Sequence, residues 1–369
     1  MKKSKFIRKP FLLFVILVFI ATSIIFIEMQ KSNSNNNYNN KKEDKNLKNS
    51  KYPKAPDFVG IDRWINSEPL KIEQLRGKVV LVDFWTYTCI NCIRTLPYLK
   101  DWDKKYRDKG LVIVGVHSPE FEFEKKYENV LKAVNDYQLK YAVAQDNNMV
   151  TWNLYQNRYW PHKYLIDVDG YIRYDHIGEG SYDETEKVIQ DLLKETINQK
   201  NIDVNISKPK EAVDVHFDKV GTLEIYFGYQ FSRGNFGNPE GIQQDVIVDY
   251  KLPSKATKNN AYFAGKWKSN ADNIELVDDN GELFLIFQAK IVNIVAGSEN
   301  NSQAVVFLDN EHENEKNKGS DVTIQENSSI SNIKEFKLYN VGIAKDYNLH
   351  VIDLQIKGKG FKIYTFTFG

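Results

Sequence analysis

Val79-Val80-Leu81-Val82-Asp83-Phe84-Trp85, followed by Thr86-Tyr87-Thr88-Cys89-Ile90-Asn91-Cys92, is the stretch on which the reading of this chain turns. The apolar run predicts a strand buried on both faces, and the amphipathic segment Ile93 to Tyr106 predicts a helix after it. Cys89 and Cys92 are the two cysteines of the sequence. Their C-x-x-C spacing puts Cys89 at the helix N-terminus, where unpaired N–H groups and the helix dipole favour a thiolate, and Cys92 one turn further in. Disulfide exchange needs one thiolate that attacks and a second thiol that releases the mixed disulfide; Cys89 fits the first role and Cys92 the second. A structural bridge closing so small a loop would stabilise little, and half a zinc site would need cysteines that the chain lacks. Asp83 interrupts an otherwise apolar strand. It reads as a buried carboxyl with its pKa raised by desolvation, able to take the proton from Cys92 and return it; the plainer alternative is an acid that reaches water at the strand end.

At 369 residues the chain has room for two domains, and Lys+Arg 50 against Asp+Glu 49, a net charge of +1, gives no electrostatic reason to expect nucleic acid. Six scattered histidines show no metal-ligand spacing, so no metal is expected. The expected redox group is the Cys89–Cys92 pair itself, with no further cofactor.

Residues 1–10 carry Lys2, Lys3, Lys5, Arg8 and Lys9 ahead of an uncharged apolar run at 11–27. Without a small-x-small cleavage site, this reads as an uncleaved signal anchor in preference to a removed signal peptide. The basic cluster would stay in the cytoplasm and everything after the span would face outward. Residues 28–51, rich in Ser, Asn and Lys, read as a disordered tether.

Residues 52–198 alternate strands and helices, which predicts an α/β domain around a mixed sheet. Asp167-Val168-Asp169-Gly170 reads as a hairpin turn; it lacks the glutamate that a calcium loop needs. A polar linker, 199–211, follows. Over 212–369 helix signals largely vanish. Leu223 to Tyr229, Gln244 to Tyr250, Glu282 to Ala289, Ile291 to Val295, Ala304 to Leu308, Phe336 to Tyr339, His350 to Ile356 and Phe361 to Phe368 read as short strands of a β-sandwich. The polar stretches Glu299 to Gln303 and Asn310 to Asn332 are expected to contain exposed loops. Tyr226, Tyr229, Phe231, Phe236 and Trp267 would be either a ligand-stacking platform or core aromatics.

Val82-Asp83-Phe84-Trp85 with Cys89-x-x-Cys92, Pro97 in the ensuing helix and Pro161 before a later strand resemble the thioredoxin fold. Ala55-Pro56-Asp57-Phe58 and the insertion between Val116 and Asp146 are similar to the extracytoplasmic TlpA/ResA branch. Trp85 through Pro97, Trp160-Pro161-x-Lys163-Tyr164-Leu165-Ile166-Asp167, Tyr226-Phe227-Gly228-Tyr229, Gly265-Lys266-Trp267 and Phe366-Thr367-Phe368-Gly369 resemble the C-terminal part of DipZ proteins, whose multi-span membrane domain has no counterpart in this sequence. The resemblance implies a thioredoxin-like domain followed by a carbohydrate-binding-module-like jelly roll. It implies that Pro161 is cis, which would offer the backbone of Trp160 to an extended substrate segment. Trp160 and Tyr87 would then form an aromatic wall beside the sulfurs, the alternative being that Trp85 and Trp160 are core residues. The resemblance also assigns Asp83 the role of the buried acid. A peroxidase would want a proline where Val82 stands.

The expectation is a membrane-tethered, outward-facing thiol-disulfide oxidoreductase, in a reducing cycle recharged by a CcdA-type membrane electron donor. The rival expectation is a surface protein that binds cell-wall glycan or protein through Tyr226, Tyr229 and Trp267.

Overall fold

The computed structural model describes residues 28–31, 51–196, 202 and 205–369. The expectations for the basic segment 1–10, the span 11–27, most of the tether and part of the linker lie outside the described residues. No helix among the described residues is long and apolar enough to cross a membrane.

The first half is built on β2 (Val79–Trp85), the central strand of a six-stranded mixed sheet in the order β1-β4-β3-β2-β5-β6. Its partners are β1 (Arg63–Ile65), β3 (Leu111–His117), β4 (Ala142–Gln145), β5 (His162–Ile166) and β6 (Ile172–Ile177). β2 and β3 run parallel, as do β3 and β4; β5 and β6 return antiparallel. Every β2 side chain is buried, and successive ones enter different layers. Val79, Leu81 and Trp85 pack with Leu99 and Trp102 of α1 (Ile90–Tyr106) and Leu192 and Leu193 of α4 (Tyr182–Lys194). Val80, Val82 and Phe84 pack on the opposite face with Trp152 of α3 (Val150–Leu154) and Tyr155. A further helix, α2 (Tyr127–Asp136), follows β3. The Asp167 to Gly170 turn joins β5 to β6: Asp167 Oδ1 accepts the Asp169 and Tyr171 N–H groups, and Gly170 sits at φ 79. β1 was not anticipated from the sequence.

From Ile225 onward the chain is β-rich, running from β7 (Ile225–Tyr226) and β8 (Ile247–Tyr250) to β19 (Phe361–Phe368). β9 (Ala261–Ser269) spends its first half beside β11 (Asn280–Gln288) and its second half beside β8 and β10 (Ile274–Leu276). Gly265, at φ 95, stands where it changes partners, and a side chain there would also crowd the Asn280 carbonyl. The core between the strands is dominated by Phe263, Trp267, Phe287, Phe361 and Phe366. Of the two readings left open for the aromatics, the core reading holds for Trp267 and Tyr226. Trp267 and Tyr226 are buried, so they form no stacking platform; Trp267 lies at the centre of the core because it faces inward from the corner strand. Within 310–332, exposed turns alternate with β14 (Glu311–His312), β15 (Thr323–Gln325) and the start of β16 (Ser328–Ile333); Ser329, Ser331 and Ile333 of β16 are buried, and Ile324 of β15 packs on the core.

The two halves meet on an aromatic seam. Phe121 and Phe123, on the segment between β3 and α2, pack against Tyr226, Phe231, Phe336 and Tyr364 of the β-rich half, with ring centroids 4.7–6.4 Å apart. Arg94 of α1 donates to the Phe368 carbonyl at 3.4 Å. Rings of this size, buried in a continuous cluster, make the seam an extension of the core of the first half.

Candidate active site

β2 ends at Trp85, and after three intervening residues the chain enters α1 with Cys89 as its N-cap. Cys89 is half-buried and Cys92 is buried; both are free thiols. The Cys92 N–H donates to Cys89 Sγ at 3.3 Å, the capping interaction that a sulfur at this position can accept. The sequence predicts a stabilised thiolate at Cys89, and here the balance goes the other way. Burial pushes the Cys89 thiol up, and the hydrogen bonding from Cys92 offsets this only in part. Cys92 is raised well above its ordinary value by burial, then by Cys89.

Asp83 is 1% exposed, and its Oδ1 has no hydrogen-bond partner. Desolvation lifts its pKa to about 7, opposed by the charge of Lys163. Lys163 is the cross-strand partner of Asp83 on β5; it is fully buried and donates to the Gly178 carbonyl at 3.0 Å. Burial lowers the Lys163 pKa, with Asp83 acting in the other direction. In the sequence Lys163 stands within the Trp160 to Asp167 motif with nothing to mark a role for it except a lysine's place in the buried run Tyr164-Leu165-Ile166.

The Trp160–Pro161 peptide is cis. Trp160 is half-buried, its indole donates to the Ser118 carbonyl at 3.0 Å, and it packs on Trp152 with centroids 4.3 Å apart. Tyr87 is not part of an open wall. It is 3% exposed, stacked on His117 at 5.7 Å, and its hydroxyl donates across the seam to the Phe336 carbonyl at 3.4 Å, because the β-rich half covers the place it would otherwise present. Buried His117 is driven down to about 3 by desolvation and stays neutral. Tyr229 is half-buried and donates to Asp245 at 3.2 Å.

A second group of carboxyls lies on the Cys89 side and escaped the sequence reading. Glu124, fully buried, accepts from the Thr88 hydroxyl at 2.5 Å and from the Glu120 and Phe121 N–H groups at 2.6 and 3.0 Å. It thereby ties the residue before Cys89 to the seam segment. Burial raises Glu124, Glu120 (to about 8) and Glu224 of the β-rich half. Nothing local in the sequence marks them: Glu224 lies more than a hundred residues beyond Cys89, and only the seam brings it close. Alongside, an interdomain groove of about 940 Å³ runs from Ile90 and Ile93 to Phe336 and Leu338. No cluster that could hold a metal ion exists among the described residues.

Comparison with known proteins bears on this arrangement. Residues 77–172 match the family model described as thioredoxin-like, and residues 222–369 match the one described as thioredoxin-like C-terminal domain. The thiol-disulfide oxidoreductase ResA of Bacillus cereus is 30% identical over 139 residues, which is 38% of this chain and 76% of ResA. The chain belongs to the thioredoxin-like thiol-disulfide oxidoreductase family. The DipZ protein of Mycobacterium tuberculosis is 37% identical over 248 residues, 66% of this chain and 35% of DipZ. The chain thus spans about a third of the length of the DipZ relatives it matches. A solved thiol-disulfide isomerase from Corynebacterium glutamicum matches 38% of this chain and 98% of its own at 25% identity, with a TM-score of 0.35.

Proposed function

We propose that this chain is a membrane-anchored, extracytoplasmic member of the family that reduces disulfides in protein substrates through Cys89 and Cys92. The observation that carries the reading is the graded burial of one dithiol. Cys89 is the sulfur a substrate can reach, Cys92 lies behind it within the same helical turn, and Asp83 is buried on the inner side. In the reducing cycle the Cys89 sulfur attacks the substrate disulfide and expels one substrate thiolate. Cys92, its proton taken by Asp83, then attacks Cys89 Sγ, expels the second substrate thiol and closes the Cys89–Cys92 disulfide. Lys163 holds Asp83 within the range where this exchange occurs near neutral pH. The backbone at Trp160 and Pro161 is where an extended substrate segment would pair.

Anchoring by residues 11–27, an outward-facing catalytic domain, a jelly-roll form for 212–369 and re-reduction by a CcdA-type membrane partner belong to the same proposal. They are supported by the apolar span in the sequence and the likeness to DipZ. Binding of cell-wall glycan is not favoured, since Trp267 and Tyr226 are core and seam residues.

The test is the reduction potential of the full chain, read by alkylation after equilibration in dithiothreitol or glutathione buffers. A value near about −270 mV supports the reductase, a value near about −120 mV reverses the direction, and a pair that does not cycle removes the proposal.

A further inference from the structure

Between the end of β2 and the first turn of α1 the chain passes through Thr86, Tyr87 and Thr88, which belong to neither strand nor helix. One backbone bond closes this turn, from the Cys89 N–H to the Thr86 carbonyl at 3.3 Å. All three residues are buried, and a side chain from another element meets each of them. The Thr86 hydroxyl lies 3.3 Å from Nε2 of His117 on β3. The Tyr87 carbonyl accepts the hydroxyl of Tyr137, the residue that ends α2, at 3.0 Å. The Thr88 hydroxyl donates to Glu124 Oε1 at 2.5 Å.

Glu124 is the anchor to which the reducing cycle gives no part. Its two oxygens serve different elements. Oε2 accepts the Glu120 and Phe121 N–H groups and so caps the single turn Glu122–Lys125, to which Glu124 itself belongs. Oε1 takes the Thr88 hydroxyl, one residue before the reacting sulfur. A hydroxyl bonded to a carboxylate is held about twice as strongly as one bonded to a neutral acceptor, and this carboxyl is fully buried and fixed by its own turn.

We propose that Glu124, acting through the Thr88 hydroxyl, is a positioning residue that holds Cys89 Sγ in line with Cys92 for the resolving step. The inference rests on the dithiol reading above. Exchange at sulfur requires the attacking, central and leaving sulfurs to lie near one line. In the first attack the substrate disulfide arrives from solution and can adjust its approach to Cys89. In the second, the attacker and the central sulfur both belong to the chain. Cys92 is set by α1, and Cys89 by its place as N-cap at φ −70 and ψ 112, where the Cys92 N–H reaches Sγ at 3.3 Å. The peptide joining Thr88 to Cys89 aims that side chain, so a turn that drifts at Thr88 carries Sγ off the line. A displacement of about 1 Å at a reacting atom can cost on the order of a hundredfold in rate.

The experiment is a single turnover of the reduced full chain with dithiobis(nitrobenzoate), followed by the absorbance of the aromatic thiolate released. Cys89 attacks the aromatic disulfide and expels one thiolate, in a phase whose rate rises with reagent concentration. Cys92 then attacks Cys89 Sγ and expels the second, in a phase independent of concentration, leaving the Cys89–Cys92 disulfide and two aromatic thiolates. Thr88→Val removes the hydroxyl at nearly constant volume, Thr88→Ser keeps it, and Glu124→Gln keeps an acceptor without the charge. Ile294→Ala, in the core of the β-rich half, is the control for lost stability. Thr88→Val is expected to slow the second phase roughly tenfold and Glu124→Gln about threefold, with the first phase within about twofold of the wild type. Thr88→Ser is expected to restore the second phase, and Ile294→Ala to leave both phases in place. A second phase unchanged in Thr88→Val would overturn the proposal, as would a loss that falls equally on both phases or one that Thr88→Ser or Ile294→Ala shares. Where Thr88→Val does not fold, Glu124→Gln read against Thr88→Ser decides in the same way. A wild-type chain that releases one thiolate per molecule and forms no Cys89–Cys92 disulfide would instead remove the dithiol reading, which separates the two failures.

Discussion

Cys89 and Cys92 are one helical turn apart, yet their surroundings are built in different ways. Around Cys92 the charged partners, Asp83 on β2 and Lys163 on β5, face each other across adjacent strands of a single sheet, buried and fixed by the strand register. Around Cys89 they come from two separate stretches of chain, Glu120 and Glu124 beside the seam and Glu224 beyond it, and they meet because two halves dock. The resolving thiol therefore has an environment that any fold with this sheet would supply. The attacking thiol has one that depends on a neighbour.

The sharpest way to break this contrast is to remove each sulfur. Cys89→Ser is expected to abolish disulfide reduction, whereas Cys92→Ser is expected to keep the first attack and accumulate a mixed disulfide with substrate, visible on non-reducing gels. Equal behaviour of the two variants would erase the distinction between attacking and resolving thiols. The next largest effect is expected at the seam. Phe121→Ala removes a buried ring that touches Tyr226, Phe231 and Tyr364, and should cost about 3–4 kcal/mol, read as a lower and broadened thermal transition.

Asp83→Asn tests the inner side. The folded-state pKa is raised to about 7, so the stability linked to this carboxyl is full below its ordinary pKa near 3.8 and is lost as pH rises through about 7. Asparagine bears no such loss. The variant should therefore gain on the wild type between those values and stand about 1–3 kcal/mol more stable at pH 8 in denaturant titrations, while resolving mixed disulfides more slowly. A stability difference that shrinks as pH rises would contradict the assignment. The smallest effect is expected on the rim of the groove. Lys132 pairs with Asp136 and Glu335 at half-exposed positions, and Lys132→Ala should change stability by under about 1 kcal/mol, with no change in the pH profile of either thiol.

The same contrast explains what could be read from the sequence. β2, the cysteine turn and α1 are legible because they are contiguous and their burial pattern is extreme: seven buried residues in a row, then a helical stripe. Asp83 is legible as the one acid in that run. β1 escaped because, of its three residues, only Ile65 is buried, which leaves no alternation to find. β9 escaped because Gly265 and Lys266 interrupt its apolar residues at the corner, and β16 because two of its three inward positions are serines. The carboxyls beside Cys89 escaped for a deeper reason. Glu120, Glu124 and Glu224 look like ordinary surface acids in sequence, and it is burial in the folded chain that desolvates them. Tyr87 shows the reverse: its place next to Cys89 suggests an open aromatic, and the docking of the halves buries it.

Trp152 and Trp160 lie with their rings 4.3 Å apart and 38° from parallel, immediately before the Pro161 peptide. Two indoles so close couple their electronic transitions, and such coupling is read as a paired band in near-ultraviolet circular dichroism and as altered fluorescence. An unlabelled optical signal thus sits at the backbone where a substrate segment would pair, and a partner that moved either ring would change it before any sulfur changed its oxidation state.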